Sequence, residues 1–256
     1  MASFKLSKWY LDSVTDSGDV SIVYTGVVNW GIFRLGYSSL LQSTGDKITE
    51  HRSLRDQKAP ELNNNSLSWS MKPFGIDAVW QLDSVPLQAT IFEAEQGTVE
   101  WNCLMPRARA QIGDRCGLGY AEHLIMTIAP WKIPIRQLRW GRFLSASDFI
   151  VWIDWEGEFS RRLVYRNGES VAVNSLNDWE IALATGELLT MNDALVLRSG
   201  PLGTTALSAI PGVEKTFPVR LLRIDECKWR SRGRLKHPSG ETAEGWAIHE
   251  RVTWPL

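Results

Sequence analysis

Several features that would place the chain in a familiar class are missing from it. Its 28 Lys and Arg nearly balance 29 Asp and Glu over 256 residues, so it lacks the basic excess of a nucleic-acid-binding protein. No run approaches the roughly 18 apolar residues of a membrane-spanning helix, and the N-terminal residues lack the apolar core of a secretory signal. We therefore expect a cytoplasmic protein with no nucleic-acid partner and no integral membrane span.

Signatures of bound metals, nucleotides and disulfides are also missing. Cys103, Cys116 and Cys227 are an odd number without C-x-x-C spacing, which predicts reduced thiols. The four histidines show neither H-x-H nor H-E-x-x-H spacing, which argues against a metal site. Neither G-x-S-x-G nor a phosphate-binding glycine loop occurs. We expect no metal and no cofactor.

Tryptophan is abundant, with 13 residues beside 8 Phe and 5 Tyr. Such side chains bury large areas and keep one polar group for hydrogen bonding. Most are expected to fill protein cores. The alternative use for a few of them is to line a cavity for a hydrophobic small molecule.

Alternation of apolar and polar residues predicts β-strands along nearly the whole chain. Asp19–Val28 and Ile32–Leu41 flank one turn, and Phe149–Trp155 precedes Arg161–Arg166. The Asn167-Gly168 pair that follows is a strong hairpin signal. Many short strands separated by turns predict an all-β chain, and closed barrels dispose of the exposed strand edges.

Two segments depart from this pattern. Leu176–Leu188 predicts a short helix, with a pair of strands as the alternative. The polar segment His51–Ser66 predicts a mobile surface loop, with a lid as the alternative.

A short repeat indicates two related halves. Gly119-Tyr120-Ala121-Glu122-His123 is echoed by Gly245-Trp246-Ala247-Ile248-His249, and each segment follows a predicted strand and a polar turn. Each would be the last strand of its own half. We predict two domains, residues 1–130 and 131–256.

Unusual residues concentrate around the first repeat and just beyond it. On a regular strand Tyr120 and Glu122 share one face and His123 lies on the other. Trp152 and Asp154 share a face of a later strand. A carboxyl group among large apolar residues is costly to bury unless it is paired or protonated.

The motif Gly117-Leu118-Gly119-Tyr120-Ala121-Glu122-His123, followed by Arg139-Trp140-Gly141-Arg142, resembles the signature of the hydroxyneurosporene synthase (carotenoid 1,2-hydratase) family. Trp152-Ile153-Asp154 falls where that family has Tyr-x-Asp. The resemblance implies two tandem lipocalin-like antiparallel barrels, and a relation to lipocalin-fold cyclases and Diels–Alderases. Where the family has Asn-Trp-Gly after its His, this chain has Leu124-Ile125-Met126.

The resemblance implies an enzyme without a cofactor that hydrates or cyclises an isoprenoid or polyketide-like polyene with acid assistance. The catalytic candidates are Asp154, Glu122 and His123, with a carboxyl group as the general acid and His123 placing a water molecule. Trp152 would stabilise a developing cation through its ring. The remaining candidates for substrate contact are Tyr120, Trp140 and Arg142.

Non-catalytic interpretations remain open beside this one. Asp154 could pair with Arg142 or Arg139, and the recurrence of His123 as His249 also fits a shared structural hydrogen bond. Trp140 and Arg142 could form an architectural clamp at a barrel end. The alternative functions are a lipocalin-like carrier of a hydrophobic metabolite and a structural protein with filled barrels.

Overall fold

Antiparallel β-strands make up nearly all of the regular structure, as the alternation predicts. The computed structural model describes residues 4–55 and 58–255. Contacts within the chain divide it into two units, residues 1–133 and 134–256. Each unit contains one antiparallel sheet. The prediction of an all-β chain is confirmed.

Ten strands form the sheet of unit 1. They are β1 (Phe4–Val14), β2 (Val20–Trp30), β3 (Phe33–Thr44), β4 (Lys47–Ser53), β5 (Glu61–Asn63), β6 (Ser66–Met71), β7 (Ile76–Leu82), β8 (Leu87–Ala94), β9 (Gly97–Ile112) and β10 (Arg115–Met126). Their order in the sheet is β4-β3-β2-β1-β10-β9-β7-β6-β5, and β8 pairs with β9 beside this path.

Unit 2 repeats this order with nine strands. They are β11 (Ile135–Ser145), β12 (Phe149–Gly157), β13 (Arg161–Arg166), β14 (Glu169–Ser170), β15 (Val173–Leu176), β16 (Glu180–Leu183), β17 (Leu188–Pro201), β18 (Asp225–Lys236) and β19 (Thr242–Thr253). The order is β14-β13-β12-β11-β19-β18-β17-β16-β15. In both units the first strand pairs with the second and with the last. The two Gly-aromatic-Ala-x-His segments therefore lie on corresponding strands, β10 and β19.

The sheet of unit 2 is closed by a short stretch of chain. β14 and β15 are its two edge strands, and they follow each other directly in the sequence. Between them the amide of Val171 donates to the carbonyl of Val164 at 2.9 Å, and Ala172 accepts from Ala184 at 2.8 Å. Residues 169–176 thus contact β13 on one side and β16 on the other, which satisfies backbone groups that an open edge would leave exposed.

Each unit has its own apolar core on the inner face of its sheet. In unit 1, Leu11, Val23 and Ala121 from paired strands pack with Trp69 and Trp80. In unit 2 the core includes Phe143, Ile150, Trp152, Leu183 and Leu189. Tryptophan thus fills both interiors, in agreement with the expectation that most of it serves packing.

The helix predicted over Leu176–Leu188 is wrong, and the alternative of paired strands is correct. Leu176 ends β15, a turn follows, and β16 buries Ile181 and Leu183 two residues apart. Burial at alternate positions is the period of a strand rather than of a helix. The helices lie elsewhere, as α1 (Val213–Thr216) and α2 (Val219–Leu222) in the connection between β17 and β18.

The loop predicted for His51–Ser66 is shorter than expected. β4 continues to Ser53 and β5 begins at Glu61. Residues 56 and 57 of this segment lie outside the described residues.

Within residues 4–55 and 58–255, no helix combines the length and the apolar content needed to cross a membrane.

Gly141 offers a test of interior packing in unit 2. A Cβ atom at this position would lie 2.2 Å from Cζ2 of Trp152 and 2.7 Å from Cβ of His249. Both neighbours are large buried side chains, so we expect Gly141→Ala to lower the free energy of unfolding by about 1–3 kcal/mol. Urea denaturation measures this change. Thr242→Ala, at an exposed position of β19, is the control and should change the stability by less than about 0.5 kcal/mol. Equal stabilities of the two variants would contradict the close contact.

Candidate functional site

The regular pairing of β10 with β1 decides which way the predicted site residues of unit 1 point. Their register is unbroken from Val14 opposite Leu118 to Leu6 opposite Met126. Tyr120 and Glu122 therefore share the outer face, and His123 lies on the inner face. The predicted residues of unit 1 belong to two separate environments.

The outer face carries a buried group of polar side chains, which we name the carboxyl–phenol cluster: Tyr10, Asp12, Cys103, Tyr120 and Glu122. Tyr10 lies opposite Glu122 in the register and Asp12 lies opposite Tyr120. Each tyrosine donates a hydrogen bond from its hydroxyl to the carboxylate two residues further along its own strand. The oxygen–oxygen distance is 2.8 Å from Tyr10 to Asp12 and 2.6 Å from Tyr120 to Glu122. All five side chains are buried. The cluster places two carboxyl groups and two phenols on neighbouring strands.

Glu122 accepts two hydrogen bonds on one oxygen. The indole N–H of Trp101 donates to Oε2 at 2.5 Å, and the hydroxyl of Tyr120 donates to the same atom. Both donors are uncharged and withdrawn from water. Hydrogen bonds in such an environment are stronger than in water, so the position of the carboxyl group is tightly fixed.

Burial keeps the Cys103 thiol and the Tyr120 phenol of the cluster protonated. It raises the pKa of the Cys103 thiol well above its ordinary value, and the carboxylates of Glu122 and Asp12 add to this effect. It also raises the pKa of Tyr120 well above the usual range, with contributions from Cys103 and Glu122. Tyr120 is therefore a hydrogen-bond donor at every physiological pH.

His123 belongs to a row of polar side chains across the inner face of unit 1, which we name the inner polar row: Asn102, His123, Trp9, Thr25 and Ser38. Each is the register partner of the next on β9, β10, β1, β2 and β3. Paired residues of neighbouring strands share a face. The row therefore lines the interior of the sheet beside its apolar core.

The ring of His123 is held from two sides within this row. It stacks on Trp9 with ring centres 4.3 Å apart, and its Nε2 lies 2.8 Å from Oγ of Ser7. Burial lowers the pKa of His123, so the neutral imidazole is favoured.

Oγ of Ser38 is buried and has no hydrogen-bond partner among the described residues. An unsatisfied buried hydroxyl is costly to the folded state.

In unit 2 the structure brings Trp152 and Asp154 onto the inner face of β12, as the sequence predicts. Asp154 is buried and accepts two hydrogen bonds from Arg162, at 2.8 and 3.2 Å. Nη1 of Arg139 lies 3.7 Å from its Oδ2. The pairing with Arg139 is thus confirmed, whereas Arg142 bonds the carbonyl of Trp246 at 2.9 Å instead. Two arginines therefore hold the carboxyl group of Asp154 in place.

The second histidine of the repeat lies deep in unit 2. Nε2 of His249 is 2.8 Å from Oγ of Ser231, and its ring stacks on Trp229 with centres 5.1 Å apart. Trp152 lies 6.5 Å from the same ring. Burial is the main cause that lowers the pKa of His249 to about 4. Both repeated histidines thus bond a serine and stack on a tryptophan, each within its own unit.

Trp140 and Arg142 lie on the outer face of β11, away from Trp152. The ammonium of Lys228 is 5.3 Å from the centre of the Trp140 ring, and Arg142 is fully buried. The predicted site residues of unit 2 therefore also divide between two faces. A lysine thus lies over the Trp140 ring, and the clamp of Trp140 with Arg142 stays a prediction.

Sequence reasoning missed three members of the carboxyl–phenol cluster: Tyr10, Asp12 and Cys103. Tyr10 and Asp12 alternate with Trp9 and Leu11 in the first strand, so an acidic residue on a patterned strand was a visible signal. The alignment of that strand with β10 was not visible. Cys103 carried no spacing signal at all.

Comparison with solved structures identifies the fold. CghA, crystallised with Sch210972, matches with a TM-score of 0.57 and 11% identity over 98% of this chain and 88% of its own. Kievitone hydratase from Nectria haematococca matches with a TM-score of 0.56 and 10% identity over 98% and 89%. An AttH candidate from Nitrosomonas europaea gives 0.55 and 8% over 98% and 92%. The chain has their fold, two tandem lipocalin-like barrels.

The prediction of that fold from the motif resemblance is confirmed, while the carotenoid hydratase resemblance itself stays a prediction. No protein-family model and no curated protein sequence matches this chain. At 8–11% identity the structural matches establish the fold alone.

The low pKa of His249 predicts a specific dependence of stability on pH. An unfolded histidine with a pKa of 6.5 binds protons that the folded His249, at about 4, does not. Stability is therefore lost as pH falls from 6.5 to 4, by about 3 kcal/mol in total, and the loss is complete below that window. Replacing the imidazole in His249→Gln should lower stability at pH 7 and flatten this slope.

Urea denaturation at several pH values compares the wild type with His249→Gln. His51→Gln, at an exposed position of β4, is the control and should keep the wild-type slope. An unchanged slope in His249→Gln would show that this imidazole does not stay neutral.

Proposed function

We propose that the chain is a cofactor-independent enzyme that hydrates or cyclises a hydrophobic isoprenoid or polyketide-like polyene. The observation that carries this proposal is the 2.6 Å hydrogen bond between Tyr120 and Glu122 inside the buried carboxyl–phenol cluster. Buried carboxyl groups are costly, and clusters of perturbed acidic groups are common at functional sites. The fold shared with kievitone hydratase is consistent with the same class of reaction.

In the proposed reaction Tyr120 and Glu122 divide the work. Tyr120 keeps its proton and, when substrate binds, turns its single hydrogen bond from Glu122 to an oxygen conjugated with the reacting double bond, which draws electrons from the alkene. For hydration, Glu122 accepts a proton from the attacking water and returns it to the neighbouring carbon. The product is the substrate plus one water, and the enzyme is regenerated. For cyclisation, the same hydrogen bond suffices and no proton is transferred.

Asp154 and His123 receive different roles in this proposal. Asp154 has two guanidinium partners, so it is better suited to fix the positions of Arg162 and Arg139 than to donate a proton. His123 lies on the opposite face of β10 from Glu122. We assign it to ligand binding in the inner polar row, with Trp9.

A carrier of a hydrophobic metabolite is the second candidate. The inner polar row favours it, because half-buried Trp9 and His123 and the unsatisfied hydroxyl of Ser38 lie together inside the sheet of unit 1. A polyene with a terminal polar group could place that group beside Ser38 and its chain along Trp9. Carriers need such a binding surface but no acid.

Substitutions in the cluster test the catalytic proposal. The protein is incubated with linear isoprenoid and polyketide-like polyenes conjugated to a carbonyl, and products are followed by mass spectrometry. We expect either the mass of one added water or an isomer of unchanged mass. Tyr120→Phe and Glu122→Gln should each reduce kcat/KM by about a hundredfold or more, because each removes a group that acts on the reacting atoms.

Two matched variants control for the chemistry of the substitution. Tyr165→Phe on β13 and Glu244→Gln near the start of β19 make the same changes outside the cluster, and both should keep wild-type kcat/KM. Loss of activity in the controls, or full activity in Tyr120→Phe, would rule out the cluster as the site.

Ligand titration tests the carrier. A fluorescent polyene fatty acid should quench tryptophan emission saturably, and Thr25→Leu should weaken this binding about tenfold or more by filling space beside Trp9. Thr242→Leu, outside the inner polar row, is the control. Recovery of the ligand unchanged, with equal binding in Glu122→Gln, supports the carrier over the enzyme. Absence of saturable quenching would exclude it.

A further inference from the structure

The turn between β2 and β3 exposes two large apolar side chains next to each other. Ile32 is 95% exposed and Phe33 is 66% exposed. Other exposed large apolar residues of unit 1, such as Leu62 and Val85, occur singly. Isolated apolar residues on a surface are ordinary, whereas adjacent ones at a projecting tip mark a contact surface. We name residues 30–34 the apolar tip.

An aromatic base supports the apolar tip. Trp30 pairs with Phe33 across the hairpin and with Phe4 on β1. The ring of Trp131 packs against Trp30 at 5.2 Å and against Phe4 at 5.7 Å, edge to face in both cases. The tip is therefore held by packed rings, and its exposed side chains project from a fixed base.

The segments that form the tip and its aromatic base carry charges of one sign. The segments that build it, residues 4–11, 26–37 and 127–133, contain Lys5, Lys8, Arg34 and Lys132 and no Asp or Glu. Glu100 is opposite Ile125 on β10, three strands away from β2. This local excess contrasts with the near-zero net charge of the whole chain.

We infer that the apolar tip docks on an anionic lipid bilayer. Ile32 and Phe33 would enter the boundary between head groups and acyl chains, Trp30 and Trp131 would lie at the interface, and the cations would contact lipid phosphates. Proteins that bind an anionic bilayer combine exposed apolar side chains, aromatic residues at the interface and nearby positive charge.

The size of the tip favours a bilayer over a second protein. A stable protein interface buries roughly 800 Å² on each partner, and a convex two-residue projection offers much less. A bilayer deforms around a small wedge and needs no complementary surface. On β2, Thr25 of the inner polar row is five residues, about 17 Å of strand, from Trp30 at the end that carries the tip. Docking would bring that end of the barrel against the bilayer, in which hydrophobic metabolites dissolve.

Vesicle sedimentation tests the inference without any substrate. The whole chain is mixed with vesicles of phosphatidylcholine alone or of phosphatidylcholine with phosphatidylglycerol. We expect binding to the mixed vesicles that weakens as salt is added. Ile32→Ser and Phe33→Ser should each reduce the partition coefficient about tenfold, because each side chain is buried on insertion. Arg34→Gln should lower binding to the anionic vesicles and leave binding to phosphatidylcholine alone unchanged.

The matched control is the double variant Leu62→Ser and Val85→Ser, which removes exposed apolar side chains of unit 1 away from the tip. It should bind vesicles like the wild type. Because all five substituted positions are exposed, thermal unfolding should be the same in every variant. Tryptophan emission should shift to shorter wavelength on vesicles and be quenched by lipids brominated in the acyl chains.

Three results would overturn the inference. They are failure of the wild type to bind anionic vesicles, equal binding by Ile32→Ser and the wild type, and a dimer in vesicle-free solution that Ile32→Ser dissociates, which would make the tip a contact between copies of this chain. Turnover enters none of these measurements, so the result is independent of the proposed enzyme activity.

Discussion

Pairing of the first strand of each unit with its last is the constraint on which the other features depend. β1 lies between β2 and β10, and β11 lies between β12 and β19. This pairing brings Asp12 opposite Tyr120 and Trp9 opposite His123, so it creates both the carboxyl–phenol cluster and the inner polar row. A shift of one residue would exchange the two faces of β10 and place Glu122 in the apolar core. The register of one strand pair therefore determines where the chemistry lies.

Local sequence pattern predicted what depends on one strand at a time. Alternation correctly placed Glu122 and His123 on opposite faces and Trp152 with Asp154 on the same face. Arg139 was one of two partners suggested for Asp154, and the other, Arg142, lies on the opposite face. Alternation did not predict Arg162 as the stronger partner or Cys103 beside Glu122, because both depend on register between strands. The mistaken helix at Leu176–Leu188 has the same origin. Its apolar residues fit both periods, and only pairing with β17 selects the strand.

The two units use the same scaffold with different degrees of burial. His123 and His249 lie at corresponding positions, and each bonds a serine, yet Ser7 comes from the first strand and Ser231 from the strand before the last. His249 is surrounded by Trp229, Trp179 and Trp152 and has lost contact with water, whereas His123 remains half exposed. A duplicated fold has thus kept a packed histidine in one copy and an accessible one in the other, which is the copy better suited to bind a ligand.

The stretch that closes unit 2 has a consequence for how that barrel moves. Val171 bonds β13 and Ala172 bonds the residue after β16, each through a single hydrogen bond, while β11, β12, β18 and β19 are held by long ladders. Breaking these few bonds exposes two strand edges at once and leaves the rest of the sheet intact. Local opening of this kind has a much lower free energy than global unfolding. Amide exchange within unit 2 should therefore begin at residues 171 and 172. It should reach β14 and β15 before the other strands.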